Sequence, residues 1–82
     1  MEMQNGKYFK TTDIGLAAFL LTEGIELNGI NKDSTNRGTF LFPNIEKCVR
    51  LATIFSQTEA KVEPTKFQAS IKQLKHLLYL GS

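Results

Sequence analysis

The spacing of hydrophobic residues changes several times along this chain, and each spacing predicts an element. Lys7-Tyr8-Phe9-Lys10 sets two aromatics between two lysines. That is the pattern of a short edge strand, because aromatics suit a pleated surface and flanking lysines discourage a second sheet from pairing there. Thr11-Thr12-Asp13 reads as a helix start, with a threonine hydroxyl accepting a first-turn amide and Asp13 near the positive end of the helix dipole. The helix it opens runs from about Asp13 to Glu23, with Gly24 in the left-handed position that ends it. Its body, Ile14-Gly15-Leu16-Ala17-Ala18-Phe19-Leu20-Leu21, is apolar on every side, so the helix is expected at the centre of the fold, between sheet and helices. Gly15, Ala17 and Ala18 are small enough for neighbours to approach closely.

Ile25-Glu26-Leu27-Asn28-Gly29-Ile30 alternates apolar and polar positions, which predicts a half-buried strand, interrupted by a bulge at Gly29. Residues 31–38 are rich in Asn, Asp, Ser, Thr and Gly and read as a turn. Thr39-Phe40-Leu41-Phe42 then returns as the second strand of an antiparallel hairpin, ended by Pro43. Asn44 caps a helix over Ile45 to about Gln57, with Ile45, Cys48, Val49, Ala52 and Phe55 on one face and Leu51 and Ile54 outside that arc. Residues 56–63 form a connector in which Val62 plugs the core. Pro64 or Thr65 opens a last helix to about Tyr79, because proline suits a first helical turn. Phe67, Ile71, Leu74 and Leu78, spaced by four, three and four, make it the most clearly amphipathic element of the chain.

The pattern predicts one α+β domain over residues 7–80: a short strand, a helix, a β-hairpin and two helices, the antiparallel sheet packed on the helices. Residues 1–6 are expected to be a disordered N-terminus and residues 81–82 a short tail. With 82 residues there is room for one core only. The single cysteine forbids an internal disulfide, and a domain this small then needs a dense core or a shared surface. No apolar run approaches the length of about 18 residues that a membrane helix needs. The start is polar and lacks the basic-then-apolar order of a signal peptide, so the cytoplasm is the expected compartment.

Candidate chemistry is sparse. The one histidine, His76, lies near the end of the last helix, where the dipole favours it, and has no partner for a zinc site. Cys48 falls on an apolar helix face, whereas reactive thiols need open, electropositive settings, so it is expected to be a buried structural residue. The eight carboxylates form no close pair within one predicted helix or strand, and Ser34, Ser56 and Ser70 sit in a turn, a connector and a core flank. Gly24 and Gly29 precede a strand pattern, which is not the context of a phosphate loop. The roles an enzyme must fill stay empty, and the expectation is a non-catalytic protein without metal, cofactor or small-molecule substrate.

Charge is uneven although the net value is only +2. Residues 1–40 carry five acidic and four basic side chains; residues 41–82 carry three acidic and six basic ones. On the last helix Gln68, Lys72, Lys75, His76 and Tyr79 fall along one stripe, which can contact phosphates and stack on bases. Arg37 in the hairpin tip (residues 32–37) and Arg50 on the middle helix could help. A hairpin beside two helices resembles a winged helix, whose tip touches the nucleic-acid backbone, at the level of fold only. The opposite reading takes the stripe for an ordinary solvated face. The leading expectation is accordingly a protein-binding module, through a protein partner or self-association. Tyr8 and Phe9 at a free sheet edge, Leu51 and Ile54 outside the main arc, and Leu80 at the end are its candidate contacts.

The stretch Tyr8-Phe9-Lys10-Thr11-Thr12-Asp13-Ile14-Gly15-Leu16-Ala17-Ala18-Phe19-Leu20-Leu21 resembles a family of short prokaryotic and mobile-element domains of unknown function that opens on a "YYKT-x-D-x-x-LAAFL" phrase. The likeness continues through a hairpin ending in an aromatic such as Phe40 or Phe42, a phrase like Val62-Glu63-Pro64, and a last helix with Phe67 near its start and Leu74 to Tyr79 at its end. It departs in the middle helix, where the family often has Tyr-Trp and this chain has Ile54-Phe55. The resemblance implies the order of elements and, from the mobile elements, an accessory or anti-defence binding role. It implies no activity and assigns no residue a role.

Overall fold

A computed structural model describes residues 8–32, 37–57 and 62–80. Six elements follow in chain order: β1 (Phe9–Thr11), α1 (Ile14–Thr22), β2 (Gly29–Lys32), β3 (Gly38–Phe42), α2 (Ile45–Ser56) and α3 (Pro64–Leu80). The sheet is antiparallel with strand order β1-β3-β2, so β3 is the central strand and the first strand joins the hairpin on its far side. This is the expected α+β domain. Lys7, residues 1–6, the tip residues 33–36, residues 58–61 of the connector and the tail at 81–82 lie outside the described residues.

Register explains the core. Phe9 lies opposite Phe42, Thr11 and Ile30 opposite Phe40, and Lys32 opposite Gly38. Cross-strand partners share a face, so these residues face the helices while Lys10, Gly29, Asn31, Thr39 and Leu41 take the other side. Burial along β3 alternates accordingly, with Gly38, Phe40 and Phe42 buried and Thr39 and Leu41 half-buried. The fully buried large side chains are Phe40 and Phe42 from β3, Leu20 from α1, Cys48 from α2 and Leu74 from α3.

α1 holds the expected central place. Four successive residues, Ala17 to Leu20, are buried, so burial runs round the helix, and it packs on α3, α2 and β1. A Cβ on Gly15 would meet Phe55 Cζ at an ordinary 3.6 Å, and Phe55 stacks on Phe19 with ring centroids 5.3 Å apart. At the helix end Gly24 has φ +92°; its N–H donates to Leu21 O and that of Ile25 to Leu20 O, both at 3.0 Å. This paired closure needs a left-handed residue at Gly24.

Three local expectations are corrected. Asp13, not a threonine, caps α1: its Oδ1 accepts from Gly15 N at 2.9 Å and Leu16 N at 3.2 Å, while Thr11 Oγ1 accepts from Asp13 N at 3.1 Å, one turn earlier. The Ile25–Ile30 alternation is real as burial, but the strand begins at Gly29, so Gly29 opens it and makes no bulge. The ladder stops there because Gly29 already faces Leu41, β3 ends at Phe42, and Pro43 has no N–H to offer; Asn28 N still donates to Leu41 O at 2.7 Å. On α2 the inward arc is centred differently. Leu51 packs against the core and Val49 is 48% exposed. Asn44 does cap α2, in a left-handed conformation (φ 61°) with its Oδ1 accepting from Lys47 N at 3.4 Å. Val62 is half-buried.

Candidate functional site

α3 has two unlike sides. Phe67, Ile71, Leu74 and Leu78 pack into the core, and Leu74 is fully buried. Gln68, Lys72, Lys75 and Tyr79, with the same spacing of four, three and four, are all exposed. Residues at this spacing lie above one another, so they form a stripe along about 16 Å of helix. Tyr79 is the most exposed large hydrophobic residue among those described, at 73%. A shallow hollow lined by Pro64, Thr65, Gln68, Ala69 and Lys72 opens at the start of the stripe. The helix N-terminus beside it is already closed, since Glu63 Oε1 accepts from Lys66 N at 2.7 Å.

The base of the hairpin reaches the other end of the stripe. A Cβ built on Gly38 would collide with Leu78 Cδ2 and come within 3.3 Å of Ile30 Cγ2, so the Leu78 side chain of α3 rests on the β3 backbone at Gly38. Arg37 and Tyr79 are the chain neighbours of the two contacting residues, and Lys32 lies opposite Gly38 in the ladder. Arg37 is exposed and Lys32 half-buried. Strand pairing and helix packing thus bring Lys32 and Arg37 to the end of α3 that carries Lys75, His76 and Tyr79. Arg50 is exposed on α2, which packs mainly on α1 and β1, and so stands apart from this group.

The candidate protein contacts are placed less uniformly. Tyr8 is 37% exposed and Ile54 is 41% exposed. Phe9 and Leu51 are half-buried and packed against the core, so each completes the fold. The Leu80 side chain lies outside what the structure describes. Val49, which the periodicity assigned to the core, is exposed; five residues from Ile54, it lies on a different flank of α2.

The family with the description "Domain of unknown function (DUF5659)" matches residues 6–80, which contain every element described above. The chain belongs to the DUF5659 family. No curated protein and no solved structure matches it. Membership agrees with the resemblance carried by residues 8–21 and leaves the activity of the DUF5659 domain open.

Within this DUF5659 chain Cys48 and His76 stand on different helices, α2 and α3. Cys48 is fully buried and its thiol donates to Pro43 O at 3.3 Å; burial raises its pKa, against a smaller lowering by Lys47. His76 is exposed on α3. Among the described residues no three His, Cys, Asp or Glu side chains gather as a metal site, and no helix is long and apolar enough to cross a membrane.

Proposed function

We propose that this DUF5659 domain is a non-catalytic binding module that takes nucleic-acid phosphates on the outer stripe of α3. The observation that carries the reading is the exposure of Gln68, Lys72, Lys75 and Tyr79 together on one side of one helix. Cations on a rigid helix attract a polyanion without reference to sequence, and a few of them give modest, salt-sensitive affinity. The domain as a whole is nearly neutral, so the stripe's local charge must supply the attraction. The non-catalytic part of the proposal rests on the burial of Cys48 and on its standing on a different helix from His76. The resemblance to mobile-element domains supports an accessory role, such as anti-defence.

Replacing Lys72 and Lys75 together by Glu is expected to lower affinity for short DNA or RNA by about tenfold or more at low salt. Amide shifts on titration should cluster on residues 66–79 and fade toward physiological salt. Unchanged affinity in the double variant overturns the reading.

A protein contact is the second reading, favoured by the exposure of Val49 and Ile54 and by the outer edges of β1 and β2. Self-association is its simplest form. A molar mass above the monomer that falls on Ile54→Glu supports it; a monomer at all concentrations counts against self-association.

A further inference from the structure

Resting on the phosphate-binding reading, we infer that the ligand is single-stranded nucleic acid, with one base stacked on Tyr79 and the backbone held between the α3 lysines and Arg37. The argument starts from Tyr79. Tyr79 is 73% exposed on a regular helix, and it shares a stripe with Lys72 and Lys75. A base can lie on such a ring only when it is free of a duplex stack, and stacking of this kind is tolerant of sequence.

The placement of Arg37 adds a second element. Leu78 Cδ2 rests against Gly38, so Arg37 and Tyr79 are the chain neighbours of two contacting residues, and Arg37 is the exposed cation outside α3 nearest this contact along the chain. The three exposed cations Lys72, Lys75 and Arg37 suit a short run of about four nucleotides, the low end of known single-strand sites. A duplex rewards a long track of cations or a helix that reads base edges. The stripe offers an amide, two lysines and a ring.

The test uses the full chain. Tyr8 and Tyr79 are the only tyrosines and there is no Trp, so in a Tyr8→Phe variant the intrinsic fluorescence reports Tyr79 alone. Titration with a ten-nucleotide oligothymidylate is expected to quench that fluorescence. Binding should be at least about tenfold tighter than to a duplex of equal length, with a log–log salt slope near −2 for three phosphate contacts. Tyr79→Ala should weaken single-strand binding by about five- to a hundredfold while Tyr79→Phe retains it, since the ring and not the hydroxyl stacks. Arg37→Gln should flatten the salt slope. Equal affinity for duplex and single strand, with Tyr79→Ala unaffected, overturns the stacking inference and leaves the phosphate reading standing. No binding of either probe at low salt overturns both.

Discussion

Cys48 shows how far one residue's setting decides its chemistry. Its thiol is fully buried and donates to Pro43 O, and desolvation disfavours the thiolate, so its pKa lies above the ordinary 9.0. A raised pKa in the folded state means that above the ordinary thiol value the unfolded chain releases a proton that the folded chain keeps. The stability contributed by the neutral thiol is therefore complete below about pH 9 and is lost as pH climbs through the folded value. In urea unfolding, wild type should lose more stability than Cys48→Ala between about pH 8 and pH 10.5; parallel pH profiles would contradict this. Below pH 9 the alanine variant should be less stable by about 1 kcal/mol, for a small cavity and a lost hydrogen bond. The sequence made Cys48 legible as a core residue through its helical spacing. It gave no sign of Pro43 as acceptor, because that contact depends on how α2 leaves the end of β3.

Among the elements, α3 was the most legible and α2 the least. Phe67, Ile71, Leu74 and Leu78 leave no choice of inward face, and the stripe at 68, 72, 75 and 79 follows by subtraction. On α2 the apolar residues spread over more than half the circumference, so periodicity admits two centres for the arc. Packing against α1 selects the one that includes Leu51, with Phe55 drawn onto Phe19, and leaves Val49 and Ile54 outside. The two centres differ in outcome. Leu51→Ala should destabilise the protein by about 2–3 kcal/mol, whereas Ile54→Ala and Val49→Ala should each stay within about 0.5 kcal/mol. Chemical denaturation of the three variants checks the assignment; equal losses at positions 49 and 51 would restore the arc read from spacing. The strand near Gly29 failed for a related reason. Alternation reports which side chains are buried, and at Ile25 and Leu27 burial comes from neighbours other than a strand, since β3 ends before it could pair there.

At the scale of the molecule, the sheet and the helices must be joined by contacts that no single element reveals. Gly38 is one such junction. In the sequence it closes a polar stretch and reads as a turn residue; in the fold it is a buried strand residue on which Leu78 of α3 rests. Two effects compete when a side chain is added. A β-branched residue in a strand interior is favoured over glycine by up to about 1 kcal/mol, so valine at an open site would stabilise. Here the added carbon meets Leu78 Cδ2 and Ile30 Cγ2, and overpacking of this kind costs about 1–3 kcal/mol. Neither neighbour is rigid, but both are packed against the core, so Gly38→Val should destabilise on balance. Room made on the helix side should recover part of the loss. Leu78→Ala alone also destabilises, by removing core packing, but combined with Gly38→Val it should cost less than the two losses added, a coupling of about 0.5–3 kcal/mol. Strict additivity in equilibrium unfolding would mean that the hairpin and α3 are not in contact. It would also remove Arg37 from the neighbourhood of Tyr79, so the same variants bear on the binding surface. If the junction stands, Gly38→Val should shift the amides of Leu78 and Tyr79 while leaving those at the start of α3 in place.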